Sequence, residues 1–290
     1  MSLHELFAAP FLDFGFMRRG LAGVLALALG ATPVGVFLLL RRMSLMGDAM
    51  SHAILPGAAL GYLAFGLSLP AMTVGGIAAG LIVVFAAGWV ARTSNLKEDA
   101  SLAAFYLLSL AAGVMIVSHS GRNLDLLHVL FGSVLALDDA SLLLIAGITS
   151  VSLFGLALLF RPLVLECFDP AFLRAVSRCS PLAHYGFLLL VVLNLVSGFH
   201  ALGTLMAVGI MILPAASARL WTKNLPAMLA LAVLLAFVSG LAGLLLSFHA
   251  DLPAGPAIVL VCGLAYFISL AAAPGGPLIS RLPVHRHLSS

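Results

Sequence analysis

The chain has 290 residues, of which 62% are hydrophobic and 9% are charged, and its mean hydropathy is +1.18. Water-soluble domains average about 45–50% apolar and about 25% charged residues, so this composition excludes a soluble globular protein. The net charge is +3, and the Lys and Arg residues stand at the ends of apolar runs instead of forming the basic patch that nucleic acid needs. The composition predicts an all-α polytopic membrane protein.

The N-terminus and the cysteines give two smaller expectations. Glu5 and Asp13 precede the first basic pair, Arg18 and Arg19. This order is wrong for a cleaved signal peptide, so we expect the first apolar run to be retained. The cysteines show neither a paired C-x-x-C spacing nor a zinc-ligand spacing, which predicts three free thiols: Cys167, Cys179 and Cys262.

Charge-free runs predict nine crossings at about 20 residues per crossing. The run 53–91 is too long for one helix and right for two, with a hinge at Leu69–Pro70. Residues 126–137 are apolar but too short to cross, which predicts a re-entrant or interfacial helix. Eight crossings are the alternative, because the count depends on residues 118–138. The other crossings are expected at 20–40, 100–117, 140–160, 185–196, 201–218, 226–246 and 256–273.

The basic residues predict the orientation, because cytoplasmic loops carry an excess of Lys and Arg. An outer N-terminus and a cytoplasmic C-terminus place only Arg18, Arg19 and Arg122 outside. The same orientation places the remaining basic residues in the cytoplasm: Arg41, Arg42, Arg92, Lys97, Arg161, Arg174, Arg178, Arg219, Lys223, Arg281 and Arg286.

The strongest local signal is the segment 41–61, RRMSLMGDAMSHAILPGAALG. Asp48 and His52 are four residues apart, so on a helix they share one face, with Ser51 beside them. They would lie roughly 10 and 16 Å from Arg41, near the middle of a hydrocarbon core of roughly 30 Å. Ionisable groups at that depth are costly and usually face a pathway or a partner. Carboxylate and imidazole donors suit zinc, manganese or ferrous iron, which predicts a metal site; the alternative is a structural Asp–His hydrogen bond between helices.

Glycines and further histidines complete the candidates within the membrane. The pairs Gly57/Gly61 and Gly76/Gly80 have the G-x-x-x-G spacing, which predicts close packing of the second and third crossings. Three histidines are expected at the outer ends of crossings, where each would either hand a metal inward or only occupy the interface: His119, His200 and His249.

The connection 161–181, RPLVLECFDPAFLRAVSRCSP, is longer than the other cytoplasmic connections and mixes aromatic with basic residues. It predicts either a short amphipathic helix or a solvated interfacial loop. The chain contains no H-E-x-x-H, G-x-S-x-G or P-loop motif. If it pumps, ATP hydrolysis therefore takes place on another chain.

These residues resemble a known family. LLRRMSLMGDAMSHAILPGAALGYL (39–63) resembles the second-crossing signature of the membrane subunits of ABC importers for zinc, manganese and iron. GTLMAVGIMILPAASARLW (203–221) and DLPAGPAIVL (251–260) look like two later elements of that family. LFGSVLAL (130–137) and FDPAFLRAV (168–176) complete a set that is distributed over most of the chain.

The resemblance implies a cobalamin-importer-like (type II ABC importer) permease fold, with 1–290 as a single transmembrane domain in the bacterial inner membrane. It implies a homodimer, a cytoplasmic ATPase that binds ATP, an extracytoplasmic metal-binding protein and no permanently bound cofactor. Asp48 and His52 match the family's metal-contacting motif. The loop 161–181 matches the coupling element that docks the ATPase, through Phe168, Asp169, Phe172 and Arg174. Zinc is favoured by the affinity order for nitrogen donors, followed by manganese or iron.

Two rival functions use the same residues. An ion-coupled secondary metal transporter would work without an ATPase and would respond to a proton or sodium gradient. A membrane enzyme with a metal held by Asp48, His52 and the outer histidines would retain that metal in detergent and chelator.

Overall fold

The computed structural model describes residues 9–66, 68–94, 98–119, 137–169, 172–173 and 180–276. The regular elements within these ranges are helices: α1 (Ala9–Asp13), α2 (Gly15–Leu40), α3 (Ser44–Ala53), α4 (Leu55–Phe65), α5 (Leu69–Thr93), α6 (Glu98–His119), α7 (Asp139–Phe168), α8 (Ser180–Leu202), α9 (Thr204–Trp221), α10 (Leu225–Ala250) and α11 (Ala254–Ala272). The prediction of an all-α polytopic membrane protein is confirmed.

The described helices give nine crossings. Seven of the described helices, α2, α5 and α7 to α11, are long and apolar enough to span a membrane by themselves. The eighth is α6, whose uninterrupted apolar part, Ala100–Ile116, is shorter. The ninth consists of α3 and α4 in succession, since α4 starts two residues after α3 ends.

Contacts between helices show that α2 and α7 run parallel. Arg19 and Asp139, near the starts of the two helices, form an ion pair of 3.5 Å. Arg41 and Glu166, at the other ends, form a second pair of 3.2 Å. We refer to these two sides of the bundle as the Arg19 end and the Arg41 end.

The same reasoning decides between nine and eight crossings. The Ser109 hydroxyl donates to the Ala53 carbonyl, and further along both helices Gly113 lies against Pro56. Because the residue numbers rise together, α6 runs parallel to α3 and α4. α3 starts at the Arg41 end, so α6 ends at the Arg19 end, where Asp139 begins α7. The end of α6 and the start of α7 therefore lie on the same side of the bundle, which supports nine crossings among the described helices. Residues 126–136 of the expected re-entrant helix lie outside the described residues.

Several predicted helix boundaries were wrong. The second crossing was expected to start at residue 53, where the charge-free run begins, yet α3 already starts at Ser44 and carries Asp48. The fifth crossing was expected to end at residue 160, before Arg161 and Pro162, yet α7 continues to Phe168. A proline inside a helix removes one backbone hydrogen bond, and burial of Leu163 and Glu166 against neighbouring helices holds the chain helical beyond it. The predicted loop 161–181 is therefore shortened to the connection 169–179, and its first part is helix.

The sixth crossing was expected at 185–196 but occupies Ser180–Leu202. The prediction followed the uninterrupted apolar run and stopped near polar residues such as His184 and Ser197, which are in fact buried. Polar residues inside the bundle were taken for the limits of the membrane.

The centre of the bundle is formed by α2 and α8. In each of them 72% of the most apolar 18-residue stretch is buried, whereas in α7 the buried share is 22%. Polar side chains join the central helices. Thr32 donates to the Ile210 carbonyl of α9 at 3.0 Å, and Asn194 donates to Ser152 of α7 at 2.7 Å. Such bonds stabilise helix association where lipid offers no competing partner.

Candidate metal centre and coupling segment

A tight turn places α3 beside the end of α2. Arg41 caps α2, Arg42 has a positive φ of 59°, and the Met43 N–H donates to the Leu38 carbonyl at 2.9 Å. Because α3 starts only at Ser44, Asp48 and His52 lie about 6 and 12 Å along the helix axis from its start. The expected depths of roughly 10 and 16 Å were too large, because they counted 41–43 as helix.

One face of α3 is fixed in the core by methionines. Met46 and Met50 are 3% and 0% exposed, and Gly47 lies against the Met211 side chain of α9, with only 2.8 Å between Met211 Cε and an added Cβ. Asp48 projects away from this core, with 70% of its side chain exposed. The packing therefore determines which way the carboxylate points.

Asp48 and His52 do come together. Asp48 Oδ1 lies 3.9 Å from His52 Nε2, and the His52 side chain is 29% exposed. Two bonds of about 2.0–2.2 Å to one metal ion span up to about 4 Å, so this separation lets both atoms bind the same ion. The distance is too long for a direct hydrogen bond, so it does not support the alternative of a structural Asp–His bond.

The pair supplies only part of a coordination sphere. Among the described residues, no group of three or more His, Cys, Asp or Glu side chains surrounds a common point. The Ser51 hydroxyl donates to the Asp48 backbone carbonyl at 2.7 Å, and its side chain is buried. It therefore supports the helix beside the pair. His52 Nδ1 is buried and has no hydrogen-bond partner within the described part of the chain.

The crossing breaks immediately after His52. Pro56 has no N–H to donate to the His52 carbonyl four residues earlier, and α3 ends at Ala53. The His52 carbonyl accepts from the Ile54 N–H, and the next carbonyl, that of Ala53, accepts from the Ser109 hydroxyl of α6 at 2.9 Å. Ser109 was missed in the sequence, because its hydroxyl gains a role only when α6 lies against the break. Discontinuous membrane helices of this kind are common at transport sites.

The glycine pairs pack closely, but not against each other. Gly57 and Gly61 of α4 face Gly75 and Ala71 of α5, with no room for a side chain. The other pair, Gly76 and Gly80, lies against Ile54 and α8 side chains, with Val192 Cγ1 at 2.8 Å from a Cβ added at Gly80. The expected close approach of the two crossings is present, but on α5 it is formed by Ala71 and Gly75 and not by the predicted pair Gly76 and Gly80.

The remaining histidines do not join the pair in the described structure. His249 lies in the last turn of α10 at the Arg19 end, where the neighbouring Phe248 ring is 5.4 Å from Phe14. Asp48 and His52 lie toward the opposite end. The side chains of His119 and His200 lie outside what the structure describes, so their predicted role stays a prediction.

The connection after α7 presents two phenylalanines. Phe168 is 85% exposed and Phe172 is 52% exposed. Asp169 Oδ1 accepts from the Phe172 N–H at 2.9 Å, an N-cap contact that starts a new helical turn. Leu173, in that turn, is buried and anchors it. The predicted coupling residue Arg174 lies outside the described residues.

A buried ionic cluster that the sequence analysis missed lies at the Arg41 end. Arg41 Nη2 is 3.2 Å from Glu166 Oε1 and 2.6 Å from His184 Nδ1. The side chains of these three residues are 8%, 7% and 10% exposed. An ionisable residue inside an apolar run indicates a functional or paired site, and Glu166 in LVLECF was such a signal.

Comparisons with known proteins identify the family of the chain. A family model described as the ABC 3 transport family matches residues 13–273. The manganese transport system membrane protein MntC of Halalkalibacterium halodurans is 32% identical over 97% of this chain and 95% of its own length. The chelated iron transport system membrane protein YfeD of Yersinia pestis is 31% identical over 92% of this chain and 89% of its own.

A solved structure has the same fold. PsaBC from Streptococcus pneumoniae, in complex with Fab, matches with a TM-score of 0.84 and 29% identity, and covers 96% of this chain and 99% of that chain. The expected permease fold is confirmed.

Proposed function

Because the chain belongs to the ABC 3 transport family, we propose that it is the permease subunit that moves manganese or iron through a site formed by Asp48 and His52. The observation that carries this proposal is the 3.9 Å separation of the Asp48 carboxylate and the His52 imidazole on an exposed face of a broken membrane helix. Two ligands per subunit suit a site that must bind a metal and then release it.

The choice of metal follows the relatives. The sequence favoured zinc because imidazole nitrogen binds zinc tightly. The two similar transport proteins are named for manganese and chelated iron, and one carboxylate oxygen with one imidazole nitrogen suits these metals as well. We therefore place manganese first, then iron, then zinc.

A second copy of the chain completes the pathway. The Asp48 side chain is 70% exposed on the single subunit, and its neighbour Leu45 is 85% exposed. A carboxylate that faced lipid at this depth would cost several kcal/mol. We infer that this face of α3 lines a cavity between two subunits, in a homodimer.

The remaining partners bind at the two ends of the bundle. The Arg41 end is cytoplasmic in the orientation that the basic residues favour, with the N-terminus outside. There an ATPase subunit binds ATP and contacts Phe168, Asp169, Phe172 and Arg174. The Arg19 end receives the metal from an extracytoplasmic binding protein.

The test is uptake of radioactive manganese, iron and zinc, each in competition with the others, in cells that make the chain with its ATPase and binding protein. We expect manganese uptake that Asp48→Ala and His52→Ala abolish while both variants remain in the membrane. Asp139→Asn, which removes a carboxylate at the Arg19 end, is the matched control and should transport normally.

Three results would contradict the proposal. Normal uptake by both alanine variants would exclude the pair as the site. Uptake that persists without the ATPase and collapses with an ion gradient would indicate a secondary transporter. A preference for zinc over both other metals would keep the pathway and correct the metal.

A further inference from the structure

We propose that Arg41, Glu166 and His184 form a clamp that transmits movement of the ATPase-binding connection to the helix that carries Asp48 and His52. This inference rests on the proposed function, because it assigns the cluster a positioning role in ATP-driven transport. It concerns residues that belong neither to the metal pair nor to the exposed phenylalanines.

The position of each residue supports this role. Glu166 lies in the last turn of α7, two residues before the exposed Phe168, and His184 lies in the first turns of α8. Glu166 therefore lies just before the connection 169–179, and His184 lies just after it. Arg41 caps α2 and stands three residues before α3 begins at Ser44. The cluster joins both stems of the ATPase-binding connection to the entrance of the metal-site helix.

The hydrogen bonds define the state of the histidine. An arginine side chain can only donate, so His184 Nδ1 accepts from Arg41 Nη2 at 2.6 Å and the ring proton is on Nε2. Arg41 also lies over the Phe187 ring of α8, with 5.1 Å from Cζ to the ring centroid. One guanidinium therefore contacts α7 and α8 together.

The cluster has the means to take up a second arrangement. Arg41 Nη1 and Glu166 Oε2 are both buried and unpaired within the described residues. Arginine and carboxylate often form two parallel bonds, while here a single bond joins Nη2 to Oε1. A small shift of α7 relative to α2 would form the second bond. Two discrete arrangements of this kind can carry coupling between distant sites.

The first test compares transport with ATP hydrolysis in proteoliposomes that contain the complete complex and manganese. His184→Leu removes the acceptor on α8 but leaves the Arg41–Glu166 pair, so the fold is retained. Glu166→Gln keeps the shape and removes the charge. We expect both variants to hydrolyse ATP, with manganese moved per ATP lowered about tenfold. His184→Gln, whose amide oxygen can accept from Arg41, should restore the ratio.

The matched control is Asp139→Asn, because it breaks the exposed ion pair between the same two helices, α2 and α7. It should leave the ratio unchanged. An unchanged ratio of manganese moved per ATP in His184→Leu and Glu166→Gln would overturn the clamp. This includes the case in which transport and hydrolysis fall by the same factor.

The second test needs no metal and so separates failure of the clamp from failure of the proposed function. Leu45 on α3 is 85% exposed and is replaced by cysteine in a chain whose three native cysteines are alanine. We expect ATP to change the rate at which a thiol reagent modifies Cys at this position in the assembled complex. His184→Leu should remove that response, and a response that persists would overturn the clamp whatever the transported ion is.

Discussion

An arginine–carboxylate ion pair joins α2 to α7 at each end, and one of the two pairs is exposed while the other is buried. At the Arg19 end, Arg19 and Asp139 are 3.5 Å apart with side chains 41% and 85% exposed. At the Arg41 end, Arg41 and Glu166 are 3.2 Å apart with side chains 8% and 7% exposed. The two ion pairs join the same helices, so their difference isolates the effect of burial.

Burial changes what each ion pair does. An exposed pair gains little, because water and salt screen it. A buried pair repays the cost of desolvating its charges only while both partners are present. The Arg19–Asp139 pair can therefore separate at little cost, whereas the Arg41 end tolerates only arrangements that keep its charges paired. The chain has a permissive end and a constrained end.

The largest expected effect is removal of Glu166. Glu166→Leu leaves the Arg41 charge buried with His184 as its one remaining acceptor among the described residues, and we expect a loss of about 3–5 kcal/mol in the free energy of unfolding. Chemical unfolding in detergent measures this value. Asp139→Asn is the control and should change the free energy by less than about 1 kcal/mol. Equal losses in the two variants would remove the distinction between the ends.

A smaller effect is expected midway along α7, where the contact is polar but uncharged. Asn194 donates to Ser152 at 2.7 Å and to the Leu190 carbonyl at 2.8 Å. Asn194→Leu should cost about 1 kcal/mol, the size of a hydrogen bond between membrane helices. Ser150→Ala is the control on the same helix, since its exposed hydroxyl bonds only within α7. The same unfolding experiment checks both, and a loss as large as that of Glu166→Leu would contradict the ranking.

The smallest effect concerns the start of α7 at the Arg19 end. Asp138 caps this helix by accepting from the Ser141 N–H at 2.9 Å. Hydrogen bonding by Ser141, through its side chain first and its backbone N–H second, lowers the pKa of the Asp138 carboxyl below its ordinary value. Because the pKa is lowered in the folded chain, the stabilisation is present above the ordinary aspartate pKa and is lost as the pH falls through the lowered value.

Asp138→Ala should therefore cost about 0.5–1 kcal/mol at neutral pH and less in acid. Unfolding at a series of pH values tests this. Asp138→Asn keeps a capping acceptor without a titrating group and should remove the pH dependence alone. A cost for Asp138→Ala that grows as the pH falls would contradict the assignment.

Most crossings were predictable because they are apolar runs of the length that the bilayer requires, and the shared helix face of Asp48 and His52 followed from their spacing. The start of the second crossing was not predictable in this way, because Asp48 lies outside the charge-free run. The limits of the helices were less predictable. Pro162 and His184 look like helix boundaries in a sequence. The helix continues beyond Pro162 because Leu163 and Glu166 are buried, and the hydrogen bond from Arg41 holds His184 inside the bundle.

The clamp and the Ser109 contact could not be predicted, since each joins residues that are far apart in the chain. Arg41 and Glu166 are separated by 125 positions, and Ser109 and Ala53 by 56. No spacing rule links such residues, and only the packing of helices brings them together.

The break after His52 has a consequence for how the chain enters the membrane during synthesis. α3 and α4 have 10 and 11 residues, each about half of what a spanning helix needs. Neither half can partition into lipid alone, because its free backbone groups would meet hydrocarbon. Gly57 and Gly61 fit tightly against α5, and α6 supplies the hydroxyl that satisfies the break. The segment bearing the proposed metal ligands therefore reaches its final place only after the ribosome has made the two helices that follow it.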